Sequence, residues 1–218
     1  MSTLILVTGQ HRSGTSATAG CLGHLGVALG RHLMPANAAN PKGYFEDVRV
    51  VEEHDKLLMC LSAAWDRPWD VPERYLEHPT TRAVSNALKG IISSFGADLF
   101  AIKDPRASLF MRMWCDITQD LGVRLVVLQP LRKPEAVATS LLVREGWDPA
   151  RADRVVRCYD AAIQSWPPDL TSTAIGFPHE LWQASRWECV GAELDVELDI
   201  TQIGKVHTFL DGGLVHHG

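Results

Sequence analysis

No run of apolar residues in this sequence approaches the roughly 20 needed to cross a bilayer as a helix. The first apolar run already begins at Leu4, so no leader peptide is expected ahead of it. Five cysteines, Cys21, Cys60, Cys115, Cys158 and Cys189, are scattered and odd in number, and none are joined by a C-x-x-C spacing. That argues against a disulfide framework or a zinc site and for reduced thiols in a cytoplasmic protein. A basic excess is missing too: 21 Lys and Arg face 26 Asp and Glu, a net charge of −5. Such a balance offers no general surface for nucleic acid, although it leaves room for a local basic pocket. Internal repeats and low-complexity linkers are absent, so residues 1–218 read as one domain large enough for a sizeable core.

What is present begins at once. Leu4-Ile5-Leu6-Val7-Thr8 is a β-branched apolar run that stops at Gly9, and Gln10-His11-Arg12-Ser13-Gly14-Thr15-Ser16 leads into a small-residue helical pattern. Strand, glycine-bounded loop and helix make the layout of a phosphate-binding loop. Glycine lets the backbone turn tightly and bring its N–H groups to an anion with no Cβ in the way. A nucleotide triphosphatase loop reads G-x-x-x-x-G-K-[ST], but here the lysine slot holds Thr15 and the cation stands three residues earlier, as Arg12.

Two further apolar runs end in charge. Leu99-Phe100-Ala101-Ile102 runs into Lys103-Asp104-Pro105-Arg106, and Val123 to Leu128 runs into Gln129-Pro130-Leu131-Arg132-Lys133-Pro134. Charged residues at the carboxyl ends of parallel strands stand where α/β sheets bind ligands. On the helix opening at Pro134, Val137, Ser140, Leu141 and Arg144 share a face by their spacing, which brings one end of that face to a ligand. Thr173 to Phe177 is read as a fourth core strand, and Val27-Ala28-Leu29 as a very short one. This order of elements predicts an α/β fold: a doubly wound, mostly parallel sheet of about five strands with helices on both faces.

Between the first two main strands, residues 30–46 read as a loop rich in turn formers, ending in Gly43-Tyr44-Phe45-Glu46-Asp47. Glu46 and Asp47 each suit the start of the helix that follows. His54 falls on that helix's buried stripe, where a hydrogen-bonded core histidine is the usual occupant. Trp65 and Trp69, on a proline-rich irregular segment, suit either an acceptor pocket wall or a plug at the edge of the core.

Arg12-Ser13-Gly14-Thr15-Ser16, Lys103-Asp104-Pro105-Arg106, and Arg132-x-Pro134 followed after five residues by Ser140 together resemble the sulfotransferases that use 3′-phosphoadenosine 5′-phosphosulfate (PAPS). The likeness spans residues 4 to about 145, and the Gly-Tyr-Phe-Glu stretch is similar to bacterial and phage members of that family. The lack of a spanning segment sets the chain apart from membrane-anchored Golgi-type relatives. The resemblance implies a P-loop-like fold and no metal. It gives the 5′ end of PAPS to Arg12, Ser13, Gly14, Thr15 and Ser16, and the 3′-phosphate to Arg132 and Ser140. It implies Lys103 at the bridging oxygen and Glu46 as general base, with His54 or His11 as substitutes. Trp65, Asp104 and Arg106 are candidate contacts for the acceptor, a small molecule, glycan or peptide. Phe177-Pro178-His179-Glu180-Leu181 matches the family loosely, and Asp211 to His217 is a poor substitute for the glycine-rich segment that closes over the nucleotide in eukaryotic members. Two other readings stay open: a Mg²⁺-dependent P-loop kinase or triphosphatase, and a nucleotide-binding subunit without turnover. Oligomeric state is not legible.

Overall fold

Each long apolar run becomes a strand of one parallel sheet. In the computed structural model, which describes residues 1–38, 40–72 and 74–210, β1 (Thr3–Val7) pairs with β2 (Leu99–Lys103) and with β3 (Arg124–Leu131). Beyond β3 lies β4 (Ser172–Gly176), giving the order β2-β1-β3-β4, all parallel. The stretch from Asp211 to His217 lies outside the described residues.

Helices α1 (Thr15–His24), α2 (Val48–Cys60), α3 (Pro79–Ser93) and α4 (Met111–Leu121) are followed by α5 (Pro134–Glu145), α6 (Pro149–Gln164), α7 (Ala184–Leu194) and α8 (Ile203–Leu210). Alternation along the strands sorts the core into two layers. Leu4, Leu6, Phe100, Ile102 and Val127 face the side of α2, α3 and α4, while Ile5, Val7, Ala101, Val126 and Leu128 face α1, α7 and α8. Both faces are covered, as an all-parallel sheet requires. Leu4, Ile5, Leu6 and Val7 are 0% exposed, and burying each such side chain contributes about 1.5–3 kcal/mol. Among the described residues no helix is long and apolar enough to cross a membrane.

The sheet has four strands where about five are expected. Val27-Ala28-Leu29 supplies a single parallel bridge, Ala28 to Phe100, before Gly30 turns the chain at φ 87°. α4 starts only at Met111, because Pro105–Phe110 forms a 3₁₀ helix whose first turn is capped by the Asp104 carboxylate accepting from the Arg106 N–H. β3 runs past its expected end and takes in Pro130. Strand parity explains the tolerance. Val127 and Leu131 bond toward β4, so Pro130 faces the β1 side, where β1 has already ended and no ladder donor is needed.

A third apolar cluster joins α5 to α6. Val137, Leu141, Val155, Val156 and Tyr159 are buried there, and Trp65, Trp69 and Trp147 pack against them. This layer flanks the carboxyl edge, where the charged strand ends converge.

Candidate active site

The loop after β1 adopts a backbone that few sequences allow. Gly9, Arg12 and Gly14 have φ of 147°, 68° and 103°; a left-handed arginine is uncommon and marks strain held by its surroundings. At Gly14 a Cβ would also come 2.3 Å from the Phe177 ring, so both backbone and neighbour demand glycine. The Ser13 hydroxyl donates to the Gln10 carbonyl (2.8 Å), and the Gln10 amide donates to Asp160 of α6. Below the loop, Thr8 donates to the Asp104 carbonyl (2.8 Å) and Ser108 to the Gly9 carbonyl (3.0 Å), tying the ends of β1 and β2 together. Helices α2 and α6 are capped by Asp47 and Asp148, but α1 begins at Gly14 with no side-chain cap. Its first-turn amides lie along a cleft lined by Thr15 and Ser16, and such amides suit an anion.

Arginines gather beside them. Arg12 Nε donates to Ser140 Oγ (2.9 Å), and the Arg132 guanidinium donates to the Arg12 carbonyl (3.0 Å) while lying 5.5 Å from the Phe177 ring centre. Arg144, one turn beyond Ser140 on α5, lines the same cleft, and its guanidinium reaches the Tyr44 hydroxyl (3.4 Å). Burial first, then repulsion from Arg144 and Arg132, lowers the pKa of Arg12. The cleft has room for water over about 130 Å³ and opens to solvent.

At the end of β2 the charges are answered from within. Lys103, 4% exposed, pairs with Glu46 Oε1, and Arg106 lies 3.7 Å from Glu46 Oε2. Arg106 also meets Asp104 (2.9 Å) and Asp55 (2.7 Å). Asp104 and His54, both 0% exposed, join through Oδ2 and Nδ1 (2.8 Å). The Trp114 indole N–H donates to His54 Nε2 (3.1 Å). An indole can only donate, so Nε2 carries a lone pair and the ring proton sits on Nδ1, facing Asp104. Burial pulls the Asp104 carboxyl up, yet Arg106 and His54 together hold it well below the usual carboxylate range.

The structure thus brings together Arg12, Ser13, Gly14, Thr15, Ser16, Lys103, Arg132 and Ser140 at one carboxyl edge. It turns other sequence expectations in a different direction. Both ring nitrogens of His54 are engaged, leaving no lone pair for a substrate proton. Asp104 has no exposed surface to offer an acceptor, and Arg106 is 8% exposed and held by three carboxylates. Glu46 is paired with two cations. Trp65 is half-buried, with its ring 4.6 Å from that of His11 and 5.5 Å from that of Trp147. Sequence reading did not assign Arg144 to a ligand by itself, though its spacing from Ser140 carries that signal, and it missed Trp114, whose partner lies 60 residues away.

No protein-family model matches the chain, and no curated protein sequence matches it. Among solved structures it is similar to the sulfotransferase STF9 from Mycobacterium avium, with 13% sequence identity and a TM-score of 0.54 over 96% of this chain and 69% of that one. It is also similar to the sulfotransferase domain of the Synechococcus PCC 7002 olefin synthase, with 16% identity and a TM-score of 0.51 over 93% of this chain and 76% of that one. At such identities the likeness is one of fold: the four-stranded parallel sheet and its flanking helices follow the P-loop-like architecture of the sulfotransferases.

Proposed function

We propose that this chain is a sulfotransferase that moves a sulfuryl group from PAPS to a hydroxyl or amine of a small-molecule, glycan or peptide acceptor. Fold likeness alone does not carry function. The observation that carries it is the meeting of Arg12, Arg132 and Ser140 beside the uncapped start of α1, with Lys103 at the neighbouring strand end. A bisphosphorylated nucleoside fits that set. The loop amides and Arg12 would hold its 5′ end, and Arg132 with Ser140 its 3′-phosphate, the group that separates this donor from ATP.

Sulfuryl transfer, like phosphoryl transfer, asks for in-line positioning and for donors aimed at the oxygens where charge grows. As the bridging S–O bond breaks, its electron pair goes to the 5′-phosphate oxygen, and the Lys103 ammonium is the donor nearest to that role. Glu46 supports it by holding the ammonium at the strand end. Calorimetry with adenosine 3′,5′-bisphosphate tests the donor class without knowledge of the acceptor. With a chelator present, a dissociation constant of about 1 μM or tighter is expected, roughly −8 kcal/mol, and Mg·ATP should bind at least about tenfold more weakly, a gap of some 1.4 kcal/mol. Tighter binding of Mg·ATP would move the chain to the kinase and triphosphatase class.

A further inference from the structure

Three consecutive residues of the loop after β1 are held from outside by one pair of helices. Gln10 donates its side-chain amide to Asp160 of α6. The His11 ring meets Tyr159 of α6 edge-on, 5.3 Å between centres. Arg12 donates through Nε to Ser140 of α5 (2.9 Å). The two helices are joined to each other by Val137, Leu141, Val155 and Val156. Of these holding side chains, Asp160 is the one that carries a charge. It is not part of the cleft lining, and a carboxylate turned toward a bound anion would weaken it. What Asp160 offers the site is an acceptor.

Gln10 is 7% exposed, so its amide needs a partner within the protein, and an ionised carboxylate is a strong one. Gln10 in turn closes the loop on itself. Its carbonyl accepts from the Ser13 hydroxyl (2.8 Å) and from the Ser13 N–H (3.4 Å). Between those two residues Arg12 stands at φ 68°, a backbone state that an arginine keeps only where its neighbours enforce it. We propose that Asp160 is a positioning residue for the donor: through Gln10 it keeps residues 10–13 in the shape that turns Arg12 and the first amides of α1 to the cleft. For the identity of the donor this rests on the sulfotransferase reading. Freed from Asp160, Gln10 no longer ties the loop to α6, and the loop spends part of its time in relaxed shapes. Affinity for an anion then falls by the fraction of protein that remains competent. Because α5 carries Ser140, the packing of α5 on α6 also sets the span between the loop and the group that meets the 3′-phosphate.

Calorimetry on the full chain with two probes tests this. Inorganic pyrophosphate reads the loop without a nucleoside, and adenosine 3′,5′-bisphosphate reads the whole donor site. Asp160→Ala should weaken both by about 10–100-fold, the range expected when a strained loop is released. Asp160→Asn keeps an acceptor oxygen in the same place and should recover most of that loss. Gln10→Met keeps the bulk of the side chain and removes the donor, so it should match Asp160→Ala. The double variant should lose no more than either single one, since both break the same link. Thermal unfolding checks that each variant is folded at the titration temperature, and the Asp160→Asn comparison stands even if Gln10→Met is not. Losses that multiply in the double variant, an Asn variant as weak as the Ala one, or wild-type affinity in Asp160→Ala would each overturn the assignment. Wild-type protein that takes pyrophosphate and refuses the bisphosphate would remove the sulfotransferase reading, and the pyrophosphate series alone would then decide on Asp160. Binding of neither probe would overturn both.

Discussion

Arg12, Arg132 and Arg144 crowd together at the β3 end of the cleft, whereas Lys103 and Arg106, at the β2 end, are each met by carboxylates. In the first group the cations repel one another, and Arg12 donates to a hydroxyl. In the second, two cations, Glu46, Asp104 and His54 form a buried network, with the exposed Asp55 at its rim on Arg106. Like charges gathered at a cleft suit an anionic ligand, although Glu145, 3.1 Å from Arg144, already opposes their repulsion. A buried network is completed by itself, and removing one member leaves the others desolvated and unmatched. One edge of the sheet therefore carries two arrangements of charge: a cluster of arginines beside the cleft, and a carboxylate-matched network that includes Lys103.

The sharpest way to break this contrast is to remove Asp104. Asp104→Ala should destabilise the fold by about 3–5 kcal/mol, the scale for an orphaned buried ion, as read by denaturant unfolding. The wild-type pair should also make the fold acid-sensitive. The folded-state pKa of Asp104 is depressed, so its stabilisation is fully present above the unfolded carboxylate value near pH 4 and is lost as pH falls toward the folded value. Asp104→Ala should flatten that acid limb. A variant as stable as wild type would reduce the network to ordinary surface charge.

Next in size is Lys103→Met, which keeps the stem and removes the charge. Turnover should fall by about 10²–10³-fold, or 2.7–4 kcal/mol, while binding of the product nucleotide changes much less, because the interaction matters most in the transition state. Near-normal turnover would leave Lys103 as part of the buried network alone. Arg132→Ala probes the other group: binding of adenosine 3′,5′-bisphosphate should weaken by roughly 1.5–3 kcal/mol. Adenosine 5′-phosphate, which has no 3′-phosphate, should be hardly affected. Equal losses for both ligands would make Arg132 a prop for the Arg12 carbonyl and nothing more.

Much of this architecture is legible in the sequence because burial writes a local pattern. The apolar runs at Leu4, Leu99 and Val123 give strands whose central residues are buried, and the charges that end them mark the carboxyl edge. Asp47 caps α2 as its position predicts. The losses are of another kind. Whether His54 serves as a base depends on Asp104 and Trp114, 50 and 60 residues away, and no spacing rule reports such pairings. Glu46 is legible as a carboxylate at a loop-helix junction, but its two cations come from β2 and the turn after it. The short bridge at Ala28 shows the converse, a strand-like tripeptide that Gly30 ends too soon to make a ladder.

The smallest effect separates the two groups by screening. Arg144 lies at the cleft mouth with its side chain 32% exposed, beside Glu145 (3.1 Å) and the Tyr44 hydroxyl. A half-exposed cation that already has a carboxylate beside it contributes modestly to holding an anionic ligand, and salt competes with it. Arg144→Ala should therefore weaken nucleotide binding by only about 0.2–1 kcal/mol at low salt. That difference should shrink toward zero near 1 M salt, where the screening length falls to about 3 Å. The cost of Asp104→Ala should hold steady across the same series, since neither it nor His54 is exposed to solvent. Paired titrations at low and high salt, with unfolding measured alongside, read both terms. If the Arg144 difference resists salt, the guanidinium must close over the ligand and exclude water, and the open group would then behave like the buried one once substrate is bound.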